Sequence, residues 1–411
     1  MLDTLPRTWE RVGAGWTRMV TDTPASVDID GAPAKRDARL DMFRGLALVM
    51  IFVNHVPGTV YESFTNRNFG FSDAAEAFVF MSGIAAGLAY SGRFRTGSFW
   101  LATAKVWARA RQLYFVHLTI TMLSLAIFAA AALWFGLPEV LTKNNLASLF
   151  TKPLSTIIGI PLMTHQLGYL NILPLYTVLL LATPLLLFVG LRHPLWLLGA
   201  SVALWAIAGQ FRLNLPNFPT PGGWFFNPFS WQVLFVTGLL CGAAMKQGRR
   251  FFPRTQLLFG ICLFWVVLVL FWVKFHPVGG AGMAFLGALN KIGFPFYITA
   301  FDKTFLSLPR LSHALALFYV LASIGALRHF AQTSWAAPLR LLGRQGLAVF
   351  AAGTVLSMAL QAIRTPLAPD PLRDGLLLAG GLALLLALAW VLTRTAEMAR
   401  SSRIETIAPR L

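Results

Sequence analysis

A chain whose apolar residues come in blocks of about 20, the length a helix needs to cross the hydrocarbon core of a bilayer, has few folds open to it. This chain carries about ten such blocks, at 45–60, 73–91, 112–135, 167–190, 193–209, 229–245, 255–274, 309–327, 341–362 and 375–393. The expected fold is all-α: a polytopic integral membrane helix bundle with about ten transmembrane helices. Composition agrees, since 56% of the 411 residues are hydrophobic, against about 45–50% apolar in soluble domains even with glycine counted. The expected division is a polar tail over 1–35, a transmembrane domain over 36–395 and a basic tail over 396–411. The first apolar run begins only after Arg44, behind a tail mixing Arg, Asp, Thr and Pro, so no cleaved signal peptide is expected.

Charge gives the bundle its orientation. The 34 Lys and Arg residues exceed the 16 Asp and Glu, for a formal net charge of +18. A nucleic-acid-binding protein concentrates such charge on a soluble face; here it sits at the ends of apolar blocks, so nucleic acid is not an expected partner and the lipid bilayer is. With the N-terminus in the cytoplasm, 24 of the 34 basic residues fall on the cytoplasmic side, as the positive-inside rule requires. Ten spans then place both termini in the cytoplasm. The outer connections 136–166 and 210–228 are rich in Pro, Asn, Gly and aromatics, a composition for irregular surface structure. Cys241 and Cys262 lie within apolar runs without metal or redox spacing. His117, His165, His193, His276 and His329 likewise have no ligand spacing, and no metal site is expected.

The chemistry concentrates between Arg36 and Arg111. Asp37, Arg39, Asp41 and Arg44 crowd the cytoplasmic mouth of the first span, and His55 lies within it. His55 lies eleven positions after Arg44, a helical rise of about 17 Å, which puts the histidine past the midplane towards the outside. An imidazole there can act as a general base on a hydroxyl, or can simply be a hydrogen-bonded structural residue. Arg67, Asn68, Asp73 and Glu76 cluster where the chain turns into the second span. Glu76 enters the membrane near the level of His55, and it or Asp73 is positioned to orient the imidazole. The D-x-x-E spacing of Asp73 and Glu76 equally reads as a helix capping pattern. Arg67 can pair with one of these acids or attract an anionic acyl group. Ser82, Gly83, Ala86 and Gly87 form a small-residue stripe suited to close helix packing. Lys105, Arg109 and Arg111 at the start of the third span supply the clustered donors a phosphate-rich ligand needs.

These segments resemble a known family. The Arg44-to-His55 spacing, Phe80-Met81-Ser82-Gly83 and the basic start of the third span are similar to the acyltransferase-3 superfamily. More closely, RDARLDMFRGLAL, TNRNFGFSDAAEAFVFMSG, RARQLYFVH, FDKTFLSLPRLSHALAL and LGRQGLAVFAAGT resemble the OpgC family, implicated in succinylating osmoregulated periplasmic glucans. The superfamily's arginine pair in the third-span region has three residues between its members; here Lys105 and Arg109 have that spacing, with Arg111 beside them.

The resemblance implies a multi-pass protein of the bacterial inner membrane that transfers an acyl group, succinyl by this likeness, from cytoplasmic acyl-CoA to a glucan hydroxyl outside. It implies His55 as the catalytic residue and Arg44, Arg109 and Arg111 as donor-binding residues. Lys105 and Arg344 join that basic set; Asp302, Lys303 and Arg310 join Arg67 and Asn68 as acceptor- or acyl-binding candidates. The co-substrate is acyl-CoA, succinyl-CoA on this likeness, with no bound cofactor, and the partners are the glucan acceptor and glucan-synthesis proteins. Two other classes remain open: a transporter moving an anionic metabolite through a core lined by Arg44, His55, Glu76 and Asp302, and a non-catalytic scaffold of glucan synthesis.

Overall fold

The computed structural model describes residues 37–407, with side chains to residue 399. The tail over 1–35 and the end of the basic tail, 408–411, lie outside the described residues. Helix α1 runs Ala38–Asn54, α2 Ala74–Thr96, α3 Phe99–Phe135, α4 Ile172–Gly190, α5 Pro194–Phe211 and α6 Pro228–Met245. Then follow α7 Gln256–Lys274, α8 His276–Lys291, α9 Leu308–Ser323, α10 Ala337–Arg344, α11 Gly346–Arg364 and α12 Pro371–Ile407. Among the described residues the only bridge between extended segments is an isolated antiparallel one, Pro216 to Gly223. The chain is an all-helical polytopic membrane protein.

Among the described residues eight helices are long and apolar enough to cross a membrane: α2 to α7, α11 and α12. Each of the ten expected blocks has a helix, but two are short, α1 with 17 residues and α9 with 16. Helix α9 starts at a proline, Pro309 in its first turn, and stops where Ile324 turns extended. Helix α1 lies upstream of the expected 45–60. The Asp37 side chain accepts from the Arg39 N–H at 3.0 Å and starts the helix inside the charged stretch, while Pro57 and the left-handed Gly58 (φ 83°) follow its end. His55 is consequently the C-cap and not a residue within the span.

Two further differences have local causes. Helix α3 begins at Phe99 and not at 112 and has 37 residues, about 56 Å at 1.5 Å per residue, so Lys105, Arg109 and Arg111 ride on its N-terminal extension. Helix α8 was not expected; Gly279, Gly280, Gly282 and Gly287 dilute both its apolar character and its helix propensity. The connection 136–166 winds into short helical pieces, Pro138–Thr142, Ala147–Thr151 and Pro153–Gly159, and buries Val140 and Leu146 against the core.

The bundle centres on α6, where Trp231, Val233, Leu234, Phe235, Val236 and Leu239 are all buried. Helix α2 packs against it backbone to backbone. A Cβ at Gly83 would collide with the Phe235 carbonyl, and one at Gly238 with the Phe80 carbonyl. Without a hydrophobic driving force between helices in lipid, such close van der Waals approach is what holds them together. The small-residue stripe of α2 therefore serves packing. Fixing α2 on α6 in turn fixes the first residues of α2, where the charged side chains lie.

Candidate active site

At the start of α2, Asp73 caps the helix by accepting from the Ala75 N–H at 2.8 Å, and the Asp73 N–H donates to Glu76 Oε2 at 2.9 Å. This reciprocal capping box uses one oxygen of each carboxylate. The other oxygens meet cations from the segment leading into α9. Arg310 donates through Nε and Nη2 to Glu76 Oε1 at 2.9 and 2.5 Å, and through Nη2 to Asp73 Oδ2 at 3.3 Å. Lys303 Nζ also bonds Asp73 Oδ2. Glu76 is wholly buried, and Lys303 is the most exposed of the four, at 27% of its side chain. Two acids and two cations form a charge-balanced cluster, the condition under which ions persist in a low-dielectric interior.

The Lys303 segment is itself anchored. Trp231 Nε1 donates to the Lys303 carbonyl at 2.9 Å and Trp205 Nε1 to the Leu306 carbonyl at 2.9 Å. Asp302, expected to bind acceptor or acyl group, accepts from the Phe305 N–H at 2.7 Å and so closes this turn. One turn into α9, His313 Nδ1 lies 2.8 Å from Ser72 Oγ, tying the same two segments together.

His55 is held by its backbone. Its carbonyl accepts from Gln361 Nε2 on α11 at 2.6 Å. One turn along α11, Arg364 donates to the carbonyls of Pro57 at 2.5 Å and Gly58 at 3.1 Å. Behind it, Asp374 on α12 receives Arg364 in a bidentate pair, both contacts 2.9 Å. The imidazole faces the Tyr169 ring, centroids 4.8 Å apart and planes inclined by 53°. Its Nδ1 is buried without a hydrogen-bond partner among the described residues. The charges of Lys303 and Asp73 act on it. It also lines a cavity of about 10 Å³ with Phe52, Phe350 and Thr354, room for about one water.

The expected orienting hydrogen bond from Asp73 or Glu76 to the imidazole is not what these carboxylates make. They are engaged by the cap, Arg310 and Lys303, and Asp73 acts on His55 through charge. Arg67 pairs with Glu62 at 2.8 Å while Asn68 Nδ2 donates to the Glu62 carbonyl at 2.6 Å. Glu62 Oε1 in turn accepts from the Gly58 N–H at 2.8 Å, so Arg67 and Asn68 sit on the turn just beyond His55. His165, in the outer connection, contacts Ser148 Oγ at 3.5 Å; burial lowers its pKa against an opposing hydrogen bond to the Asn145 backbone.

The basic residues gather at the other end of α1. Arg44 and Arg344 each approach the buried Asp41 at 3.7 Å, and Arg44 Nη1 donates to the Gly343 carbonyl at 3.4 Å. Arg109 donates to Gln112 at 2.6 Å, and its charge and that of Arg44 both reach the buried Tyr176 hydroxyl. Lys105 and Arg111 are exposed on α3. Arg44 and Arg344 thus meet at Asp41, while Arg109 lies on α3 between Lys105 and Arg111 in sequence. Among the described residues no group of three His, Cys, Asp or Glu side chains is placed to hold a metal ion.

Sequence reasoning did not find Tyr169, Tyr176, Gln361 or Arg364. Arg364 carried a signal, a cation at the outer end of a span with Gln361 one turn before it; Tyr169 carried none. A family model described as OpgC protein matches residues 36–397, nearly the whole chain. No curated protein matches it.

Proposed function

The chain belongs to the OpgC family, and from that premise we propose that it is a membrane-bound O-acyltransferase of periplasmic glucans. The acyl group is succinyl and the donor cytoplasmic succinyl-CoA, by likeness to the family. The observation that supports His55 as the general base is its setting: a backbone gripped from α11, a buried Nδ1 without a partner among the described residues, and a charged cluster within electrostatic range.

In this mechanism the imidazole takes the proton of a glucose hydroxyl as its oxygen attacks the thioester carbonyl. The tetrahedral intermediate collapses with cleavage of the C–S bond, and the imidazolium returns the proton to the departing CoA thiolate. Asp73 favours the positive charge on the imidazolium against the opposing charge of Lys303, and Glu76 holds Arg310 in place. Lys303 and Arg310, with Arg67, Asn68 and Asp302 around the outer turn, form the side that meets the acceptor and the acyl group. Arg44, Arg109 and Arg344, flanked by Lys105 and Arg111, bind the CoA phosphates through clustered charge-assisted donors. About 17 Å of helix separates Arg44 from His55, a span a pantetheine arm can cover. The protein sits in the inner membrane with both termini cytoplasmic, beside the proteins that build the glucan.

The test is mass spectrometry of periplasmic glucans from cells lacking this protein, complemented with the native chain or His55→Ala. Succinyl groups restored by the native chain and absent with a normally expressed His55→Ala are the expected result. Equal restoration by both removes His55 from catalysis and favours the scaffold. If neither adds succinyl groups, the assignment fails, and saturable anion flux through liposomes carrying the native protein would identify a transporter.

A further inference from the structure

The grip on the His55 backbone leaves its side-chain torsions free. In most catalytic histidines a hydrogen bond to the second ring nitrogen sets the ring plane, but Nδ1 of His55 has no such partner among the described residues. The aromatic ring that packs against the imidazole is that of Tyr169, 4.8 Å from it, within the range of favourable edge and offset ring geometries.

Tyr169 is placed there at the expense of its own backbone, which is left-handed at φ 69°, a region that non-glycine residues avoid. A circuit of contacts holds it. The Gly168 N–H donates to the Asn144 carbonyl at 3.0 Å. The two strands of chain pass so closely that a Cβ at Gly168 would lie 3.1 Å from Asn144 Oδ1. Asn144, itself left-handed at φ 54°, donates through Nδ2 to Gln361 Oε1 at 2.9 Å. Gln361 donates to the His55 carbonyl, which closes the loop. The residue that grips the His55 backbone and the residue that faces its ring are thus fixed to one another through Asn144. Backbone strain maintained by surrounding contacts is a recurrent mark of functional sites.

We propose that Tyr169 is a positioning residue of the active site, its ring holding the His55 imidazole in the plane from which it takes the acceptor proton. This rests on the catalytic role proposed for His55. The phenol oxygen plays no part in that positioning; the charges of Glu62 and Arg67 reach it on the outer turn.

The test uses the purified full-length protein with succinyl-CoA and glucan. Tyr169→Leu lowers kcat by about 10- to 100-fold, the scale of a misplaced catalytic group, with KM for both substrates little changed. Tyr169→Phe keeps the ring and restores turnover. In a His55→Ala background, Tyr169→Leu has no further effect on the residual rate. Native kcat in Tyr169→Leu, a Phe variant as impaired as Leu, or a full additional loss in the His55→Ala background would each overturn the proposal. Should Tyr169→Leu not elute as a folded species, Asn144→Ser carries the test. It removes the Gln361 hydrogen bond, so kcat falls at unchanged KM, and a native kcat there counts against the circuit. Full activity in His55→Ala alone is a separate outcome, which removes the catalytic reading itself.

Discussion

Two histidines on neighbouring parts of the bundle have opposite settings. His55, at the C-terminal end of α1, is only partly buried, with its backbone anchored to α11, an aromatic ring against it and the charges of Lys303 and Asp73 in range. His117, midway along α3, is fully buried, and both of its ring nitrogens lack a hydrogen-bond partner among the described residues. On the proposed mechanism, burial alone does not mark the catalytic histidine. What separates the two is organisation: the surroundings of His55 hold its backbone and supply charge, whereas no charged group among the described residues acts on the His117 ring.

Substitutions can break or sharpen that contrast. The largest effect is expected of His55→Ala, which lowers the rate of acyl transfer by about 10²- to 10⁴-fold, the usual contribution of a general base, in a protein that still folds. Next comes Arg310→Met. It strands the buried Glu76 carboxylate and costs about 3–5 kcal/mol of stability, measurable by denaturation of the purified protein. Pairing it with Glu76→Gln recovers part of that loss, because the uncompensated charge is gone. Gln361→Leu frees the His55 carbonyl and unties Asn144; it lowers kcat by about tenfold with little change in KM, a modest misplacement. The smallest effect belongs to His117→Leu. Removing two unsatisfied buried nitrogens, each of a kind that costs about 1–3 kcal/mol, leaves activity native and the melting temperature equal or higher.

The parts of this account that were legible in the sequence are those with local causes. The apolar blocks of α2 to α7, α11 and α12 announce themselves by length and composition, and the Asp73–Glu76 spacing announces its cap. The start of α1 was misplaced because Arg39, Asp41 and Arg44 make its first turns look unlike a span, although Asp41 is buried there beside Arg44 and Arg344. Lys303 and Arg310 were noticed as charged residues near α9, but nothing local says that they meet acids more than 200 positions earlier in the chain. The same holds for Gln361 and His55. Tyr169 is the extreme case, since its role depends on a left-handed backbone that its own residue type disfavours.

The two ends of α1 differ in charge. At the His55 end, Asp73 and Glu76 are matched by Lys303 and Arg310, so that cluster is pre-organised and adds little net charge of its own. At the Arg44 end Arg44 and Arg344 share Asp41, while Arg109 bonds a neutral glutamine. A site of that composition suits an anionic ligand, and the balanced one suits a reaction in which charge appears and vanishes.

The most direct test of the central claim compares His55→Ala and His117→Leu side by side as purified proteins. Each is matched to the native chain by elution profile and melting temperature, then assayed for succinyl transfer from succinyl-CoA to glucan. The expected result is transfer lowered by about 10²- to 10⁴-fold for His55→Ala and native transfer for His117→Leu. Native kcat in a folded His55→Ala would contradict it.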